Sequence, residues 1–194
     1  MRFEPTSIPD VLLLTPQVHC DQRGFFTETF RQDVFETVCG HYQFVQDNHS
    51  GSQGGALRGL HYQIRQAQGK LVCVVAGEIF DVAVDLRRGS PYFGRWTSVR
   101  LSAESKQQLW VPPGFAHGFY VLSEWAEVLY KTTDYYAPEW ERGLRWDDPA
   151  IGIQWPLPEG KKPQLSVKDE HNSCLADAET YPVGWPDFTN SEDL

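Results

Sequence analysis

Short apolar segments alternate with turn residues through the middle of the chain. Glycine, proline and small polar residues interrupt these segments at spacings of about 8 to 14 residues, with no helical crossover between them. Such a series predicts an antiparallel sandwich or barrel rather than a sheet alternating with helices, and we expect a jelly-roll barrel. The predicted strands are 43–46, 57–63, 71–75, 79–85, 95–101, 108–111, 118–122 and 126–132.

One segment has clear helical periodicity. Val34, Phe35 and Val38 place apolar side chains at i, i+1 and i+4 within residues 31–38, and Gly40 follows where a left-handed cap costs little. The pattern therefore predicts an all-β domain over residues 1–175 with minor short helices. The C-terminal extension, residues 176–194, is acidic, and we expect it to be loosely ordered.

Composition and charge narrow the classes of function. The 194 residues include 17 Lys and Arg against 26 Asp and Glu, and a net charge of −9 argues against nucleic-acid partners, because phosphate affinity needs clustered cations. The apolar stretches are far shorter than the roughly 20 residues that span a bilayer, and the N-terminus lacks a secretion signal. Four scattered cysteines are expected as reduced thiols, so we predict a cytoplasmic protein without membrane partners.

Two histidines stand in settings typical of a functional site, His61 in LRGLHYQ and His117 in PPGFAHG. Barrels of the cupin type bind a metal through H-x-H with a later Glu, together with P-x-G-x-x-H. Only the second half of that pattern is present, because Gln63 occupies the position of the paired imidazole. Two distant imidazoles without a matching carboxylate are poor metal ligands, so we expect no metal.

His61 taken alone has two interpretations. It is either a core histidine with satisfied hydrogen bonds or a general acid–base, since imidazole suits proton transfer at neutral pH. A carboxylate that accepts its far N–H would favour the second role, and Asp169 beside Lys168 is a candidate whose distance in space the sequence does not give. Arg58 and Lys70 would suit an anionic substrate and a developing enolate, although each cation alone is more typical of a solvated surface.

Strand geometry adds two observations about these candidates. Arg58 and His61 point to opposite faces of a regular strand, unless Gly59 between them hosts a bulge that redirects one side chain. Tyr130 and Tyr136 are six residues apart and share a face if the strand pairing is regular. A tyrosine at either position is able to donate a proton or stack on a ring, but packing is the commoner role.

Six blocks of the sequence share their order with a known family. They are DQRGFF (21–26), FVQDNHS (44–50), LRGLHYQ (57–63), QGKLV (68–72), GEIFDVAVD (77–85) and PGFAHGF (113–119). Over residues 7–170 the sequence resembles the dTDP-4-dehydrorhamnose 3,5-epimerases. The resemblance implies a cupin-like jelly-roll homodimer, without metal or cofactor. It also implies an isomerase of dTDP-L-rhamnose biosynthesis that inverts C3 and C5 of dTDP-4-dehydro-6-deoxy-D-glucose, giving dTDP-4-dehydro-L-rhamnose.

The resemblance further implies roles for individual residues. His61 is the expected base and Asp169 its orienting partner, with Lys70 stabilising the enolate and Tyr130 acting as acid on the other face. The presence of both Tyr130 and Tyr136 favours double epimerisation. The expected substrate contacts are Arg23, Phe25 and Glu28 from the partner subunit, Gln46, Asn48, Arg58, His117, Glu141 and Lys168 around the sugar and diphosphate, and Tyr136 stacked on thymine.

Two other functions stay open at this stage. One is a single-site (3- or 5-) epimerase or a ketoisomerase of a related dTDP-deoxysugar pathway, because a small change in the pocket redirects the returning proton. The other is a sugar-nucleotide binding module, against which His61, Lys70, Tyr130 and Asp169 argue together, since a binder needs neither base nor acid. The sequence departs from the family pattern at Cys73 and just after Asp169.

Overall fold

The computed structural model describes residues 1–185, which form mainly antiparallel strands. No helix in this range is long and apolar enough to cross a membrane. The strands are β1 (Arg2–Pro5), β2 (Leu12–Thr15), β3 (Val18–Asp21), β4 (Gly24–Thr27), β5 (Gln46–Gln53), β6 (Leu57–Gln63), β7 (Lys70–Ala76), β8 (Glu78–Asp85), β9 (Trp96–Ser102), β10 (Gln108–Val111), β11 (Phe115–Val121), β12 (Trp125–Thr132) and β13 (Glu141–Gly143). The helices are α1 (Gln32–Cys39), a 3-10 turn (Pro138–Trp140) and α2 (Val167–Glu170).

Two sheets enclose the core. The larger has the order β1-β2-β10-β7-β12-β5, the smaller has the order β13-β6-β11-β8-β9, and β3 and β4 form a separate hairpin. Apolar side chains from both sheets meet between them, among them Val74, Ile79, Phe119 and Val128. Burial of these side chains supplies the main driving force for folding. The predicted all-β architecture is confirmed.

Both outer faces of this sandwich carry a further apolar layer. On the smaller sheet, Val82 and Val84 of β8 pack with Tyr181 from the C-terminal segment. The sequence of β8 is therefore largely apolar, because side chains on both of its faces are buried. On the larger sheet, Phe35 and Cys39 of α1 are buried in a cluster with aromatic and aliphatic strand residues.

Most strand predictions match the observed boundaries closely. The segments 57–63 and 108–111 coincide with β6 and β10, and the helix predicted over 31–38 is α1, displaced by one residue. Gly40 ends α1 with a φ of 90°. The strand predicted over 43–46 is wrong, because β5 begins at Gln46 and has the polar sequence QDNHSGSQ. The four short strands β1 to β4 were not predicted.

The chain remains packed beyond residue 175. Tyr181 is 1% exposed, its hydroxyl donates to the carbonyl oxygen of Gln63 at 2.5 Å, and its backbone bridges to Arg87. The ring of Trp185 lies 4.3 Å from that of Tyr181. The expectation of a loosely ordered extension is therefore wrong for residues 176–185, where aromatic anchors hold an otherwise acidic segment on the smaller sheet. Residues 186–194 of the predicted extension lie outside the described residues.

Candidate active site

A bulge in β6 brings Arg58 and His61 to the same face of the smaller sheet. His61 lies opposite His117 on β11 and Arg58 lies opposite Phe119, so three steps along β6 match two along β11. Opposed residues share a face, and the extra residue removes the conflict with strand alternation. Gly59 permits this arrangement, since its φ is +120° and a Cβ there would lie 2.6 Å from a backbone atom of β11. The sequence left open whether Gly59 hosts a bulge, and the register shift shows that one is present.

His61 is paired with a buried carboxylate from the far end of the chain. Its Nε2 lies 2.6 Å from Oδ1 of Asp169, which is 3% exposed on α2. Ser166 caps α2, accepting the N–H of Asp169 at 3.1 Å and donating its hydroxyl to Oδ2 at 2.9 Å. Burial raises the pKa of Asp169, but the hydrogen bonds from His61, Ser166 and the backbone of Gly59 outweigh it and leave that pKa below its ordinary value.

A second histidine–carboxylate pair stands on the neighbouring strands. Nε2 of His117 lies 2.6 Å from Oδ1 of Asp81 on β8, and both side chains are buried. Oδ2 of Asp81 has no hydrogen-bond partner within residues 1–185. Residues 1–185 contain no group of three or more His, Cys, Asp or Glu that could hold a metal ion. His117 lines the larger of the two cavities described below, and its Nε2 is hydrogen-bonded to the Asp81 carboxylate.

Lys70 enters the site from β7 in the opposite sheet. Its side chain is buried and its Nζ lies 3.3 Å from the carbonyl oxygen of His61. Burial lowers the pKa of Lys70 to about 8, against the opposing influence of Glu141 and Asp81. The ammonium form of Lys70 therefore predominates at neutral pH and provides a positive charge in a poorly solvated part of the site.

Tyr130 lies on β12, in the same sheet as Lys70. Its neighbour across the sheet is Asn48 on β5, which therefore shares its face. Burial raises the pKa of Tyr130, and Arg58 partly opposes that shift, so the phenol stays protonated at neutral pH. His61, Lys70 and Tyr130 all line two adjoining cavities of about 510 Å³ and 300 Å³.

The larger cavity is surrounded by residues from both sheets and from the segment preceding α2. Arg58, His117, Asp169 and Ser166 line it together with the three shared residues. Arg58 is held by its Nε, which donates to the hydroxyl of Ser52 at 2.8 Å. The residues named as base, partner, enolate stabiliser and acid therefore all lie around one cavity.

The smaller cavity contains the other expected contacts for the substrate. Gln46, Asn48, Tyr136 and Glu141 line it. The Tyr136 hydroxyl donates to Glu141 Oε2 at 2.5 Å, and Lys168 Nζ lies 2.5 Å from Oε1 of the same carboxylate. Burial raises the pKa of Glu141, but Lys168 and Tyr136 outweigh it, and the group stays ionised.

Three expected contacts lie elsewhere. Arg23 and Phe25 are on the β3–β4 hairpin and Glu28 follows it, and the two cavities described above are lined by other residues. The Arg23 guanidinium is exposed and donates to Asp21 at 2.6 Å. Within one chain these side chains are not part of the site.

Sequence reasoning missed two residues that support the site. Asp81 lies between apolar neighbours within β8, and an acid in such a stretch was the signal that could have marked it. Ser166 was missed because a serine followed three residues later by an acid is common. The side-chain contacts of Gln63 were not foreseen either.

The protein is an all-β sandwich with a histidine–carboxylate pair, a buried lysine and a tyrosine around one cavity. This arrangement belongs to the class of proton-transfer enzymes. Comparison with known proteins identifies the family. A sequence model described as dTDP-4-dehydrorhamnose 3,5-epimerase matches residues 5–177. The chain belongs to this family of isomerases, as the sequence blocks predicted.

Individual relatives agree over nearly the whole chain. A dTDP-4-dehydrorhamnose 3,5-epimerase of Pseudomonas aeruginosa is 60% identical over 183 residues, covering 94% of this chain and all of the relative. The crystal structure of a Legionella pneumophila 3,5-epimerase in complex with dTDP-4-keto-L-rhamnose superposes with a TM-score of 0.88 at 51% identity, covering 92% of this chain and 94% of that one. The cupin-like jelly-roll prediction is thereby confirmed.

A relative with narrower activity has the same fold. The structure of a 3'-monoepimerase from Streptomyces bikiniensis, bound to dTDP-quinovose, has a TM-score of 0.83 and 38% identity, and covers 89% of this chain and 87% of that one. Fold similarity alone therefore does not distinguish double from single epimerisation.

Proposed function

We propose that this site inverts C3 and C5 of dTDP-4-dehydro-6-deoxy-D-glucose to give dTDP-4-dehydro-L-rhamnose, within dTDP-L-rhamnose biosynthesis. One observation carries the proposal: His61 and Tyr130 line the same cavity from opposite sheets, and Lys70 lines that cavity as well. Epimerisation next to a ketone needs proton removal from one face of the sugar and proton return to the other.

His61 is the base. The ionised Asp169 carboxylate only accepts hydrogen bonds, so Nε2 of His61 carries its proton toward Asp169 and Nδ1 keeps a lone pair. Nδ1 removes the proton from the carbon next to the C4 ketone, the electron pair moves to the C4 oxygen, and an enolate forms. The Asp169 charge stabilises the imidazolium that results.

Lys70 stabilises the enolate. Its ammonium is desolvated, so an interaction with a developing oxyanion is stronger than it would be in water. His117 also lines the larger cavity, and its Nε2 is held by Asp81. The charge of Lys70 thereby offsets the charge of the enolate.

Tyr130 returns a proton to the face opposite His61. Its raised pKa keeps the phenol protonated until the carbanion forms. His61 then releases its proton to solvent and the Tyr130 phenolate takes one up, so each inversion leaves the enzyme unchanged and introduces one solvent hydrogen at the inverted carbon. Repetition at the second carbon completes the reaction.

The smaller cavity receives the nucleotide part of the substrate. We assign Tyr136 to stacking on thymine, and Gln46, Asn48 and Glu141, which line the same cavity, to contacts with the sugar and diphosphate. Arg58 lines the larger cavity, Lys168 pairs with Glu141 at the smaller one, and both cations suit a diphosphate.

We further propose that the protein is a cytoplasmic homodimer. Phe25 and Phe26 on the hairpin are 59% and 71% exposed, and Val75 and Leu129 lie exposed on the outer face of the larger sheet. Exposed apolar surface of this kind suits a second copy of the chain. Arg23, Phe25 and Glu28 would then reach the partner's cavity, which explains why they lie away from their own.

Proton NMR of the substrate in D₂O tests the reaction. Deuterium at both C3 and C5, with the product accepted by a reductase that forms dTDP-L-rhamnose, supports the double epimerase. Deuterium at one carbon identifies a monoepimerase instead. Binding of dTDP without exchange at either carbon leaves a binding module and overturns the mechanism.

A further inference from the structure

Gln63 ends the strand that carries the base and stands where metal-binding relatives of this fold place a second imidazole. Its side chain is 3% exposed, two residues after His61. None of the proton-transfer steps uses it. A buried amide needs hydrogen-bond partners, and their identity shows what the residue does.

The side-chain amide of Gln63 bonds to loops beside the smaller cavity. Its Nε2 donates to the carbonyl oxygen of Gln66 at 2.7 Å and to that of Tyr135 at 3.2 Å, and its Oε1 accepts the N–H of Ala137 at 2.9 Å. The last two contacts fix the backbone immediately before and immediately after Tyr136.

Tyr136 itself has little packing to hold it. Its side chain is 53% exposed, its N–H donates to Oε1 of Gln46 at 2.9 Å, and its hydroxyl donates to Glu141. The placement of the ring therefore depends on hydrogen bonds to the loop backbone, and Gln63 supplies those on both sides of it.

We propose that Gln63 is a positioning residue for nucleotide recognition, which holds the Tyr136 loop against the smaller cavity. The proposal rests on the proposed function in that Tyr136 contacts the base of the substrate. A fixed ring binds more tightly because less conformational freedom is lost when the ligand arrives. Since the amide faces the loop and not the reacting carbons, it affects substrate binding rather than the chemical step.

The test compares Gln63→Met with Tyr181→Phe. Methionine fills a similar volume but makes none of the three hydrogen bonds, whereas Tyr181→Phe removes only the hydroxyl that donates to the carbonyl oxygen of Gln63. We expect Gln63→Met to raise KM and the Kd for dTDP about tenfold with kcat within about twofold. Tyr181→Phe is expected to leave KM, Kd and kcat unchanged. Equal changes in both variants would mean that β6 is merely disturbed, and would overturn the proposal.

A double-mutant cycle with Tyr136→Ala tests the route of the effect. In that background, Gln63→Met should change the Kd for dTDP by less than twofold, because the ring it positions is gone. A full tenfold loss in the Tyr136→Ala background would overturn the proposal. Gln63→Asn, whose shorter amide cannot span the same distances, replaces Gln63→Met if the latter does not fold.

The dTDP titration separates this inference from the proposed reaction. If the wild-type chain binds dTDP but exchanges neither carbon in D₂O, the proposed function fails while the Gln63 cycle is still decided by Kd. If exchange occurs and Gln63→Met leaves both KM and Kd unchanged, the proposed function stands and the positioning role fails.

Discussion

The proton on His61 is placed by its partner. Because Asp169 is ionised and accepts only, it selects the tautomer that leaves the Nδ1 lone pair free. The backbone N–H of Gly59 and the hydroxyl of Ser166 hold that carboxylate in turn. A single charge thus sets which ring nitrogen of His61 acts as the base.

Asp169→Asn is expected to lower kcat by about 10²–10⁴-fold, in the range for loss of general-base catalysis. An asparagine amide is able to donate to Nε2, which moves the ring proton to Nδ1 and blocks the base. Solvent exchange at C3 and C5 gives the rate, and circular dichroism checks folding. Glu170→Gln, at the exposed next residue, is the matched control and should retain wild-type exchange. Rapid exchange by a folded Asp169→Asn protein would contradict the assignment.

Lys70→Met is expected to abolish most activity while stabilising the fold. Burial of an ammonium whose pKa is lowered from 10.5 to about 8 costs on the order of 3 kcal/mol at pH 7. In the unfolded chain this group binds its proton more tightly, so the wild-type free energy of unfolding should rise between pH 8 and 10.5. The variant should lack that rise. Urea unfolding at pH 7 and pH 10 measures both effects.

Activity should follow the opposite pH trend from stability. The enolate requires the ammonium form of Lys70, so kcat of the wild type is expected to fall as the pH rises through about 8. Constant turnover up to pH 10 would show that the charge of Lys70 is not used.

At the scale of single elements, the bulge in β6 places Arg58 and His61 around one cavity. It aligns Arg58 with His61, and the residue that permits it also donates to Asp169. We expect Gly59→Ala to destabilise the fold by about 1–3 kcal/mol through its positive φ alone, with a further cost from the contact with β11. Activity should fall more than tenfold even where the protein is fully folded.

A matched glycine provides the control for that experiment. Gly160 also has a positive φ, of 71°, but no atom of the described residues lies within 4 Å of the place that a Cβ would take there. Gly160→Ala should therefore cost stability without loss of activity. If Gly59→Ala and Gly160→Ala behaved alike in turnover, the bulge would have no special role in the site.

The sequence predicted those elements whose pattern is local. β6 and β10 were found with their boundaries, because apolar residues are bracketed by turns. β5 was missed because its inward face lines a cavity, so its side chains are polar where a core strand has apolar ones. The packing of Tyr181 was missed because a single aromatic anchor in an acidic segment carries no periodicity.

The candidate site likewise contains residues that the local sequence indicates and contacts that depend on the fold. His61 and Lys70 could be proposed as candidates from local context, but the contact with Asp169 joins residues 108 apart in the chain. No spacing rule gives such a distance, and only the resemblance to a family pointed to the pair. The hydrogen-bond partners of the Gln63 side chain likewise became visible only in three dimensions.

At the scale of the whole molecule, the question is whether each active site is built from one chain or from two. The positions of Arg23, Phe25 and Glu28 distinguish these two arrangements. The hairpin that carries the first two is exposed, with two phenylalanine rings toward solvent. If a partner's cavity receives it, each active site combines the base of one chain with Arg23 of the other. The two contributions can then be separated by mutation.

Arg23→Ala and His61→Ala provide that separation in a mixed dimer. Each variant alone should be strongly impaired, the first in KM and the second in kcat. In a heterodimer purified through two different tags, one site combines both defects and the other is intact, so about half the wild-type rate per dimer should return. The exchange assay in D₂O measures this recovery, with size-exclusion chromatography confirming the dimer.

The controls for the mixed dimer determine what its activity means. In a heterodimer of His61→Ala with Asp169→Asn, each chain damages the base pair of its own cavity, so neither site is intact and no recovery is expected. Recovery in the first pair but not the second requires Arg23 to act across the interface. No recovery in either would mean that Arg23 serves its own chain after a movement of the hairpin, and a monomeric protein with full activity would overturn the shared site altogether.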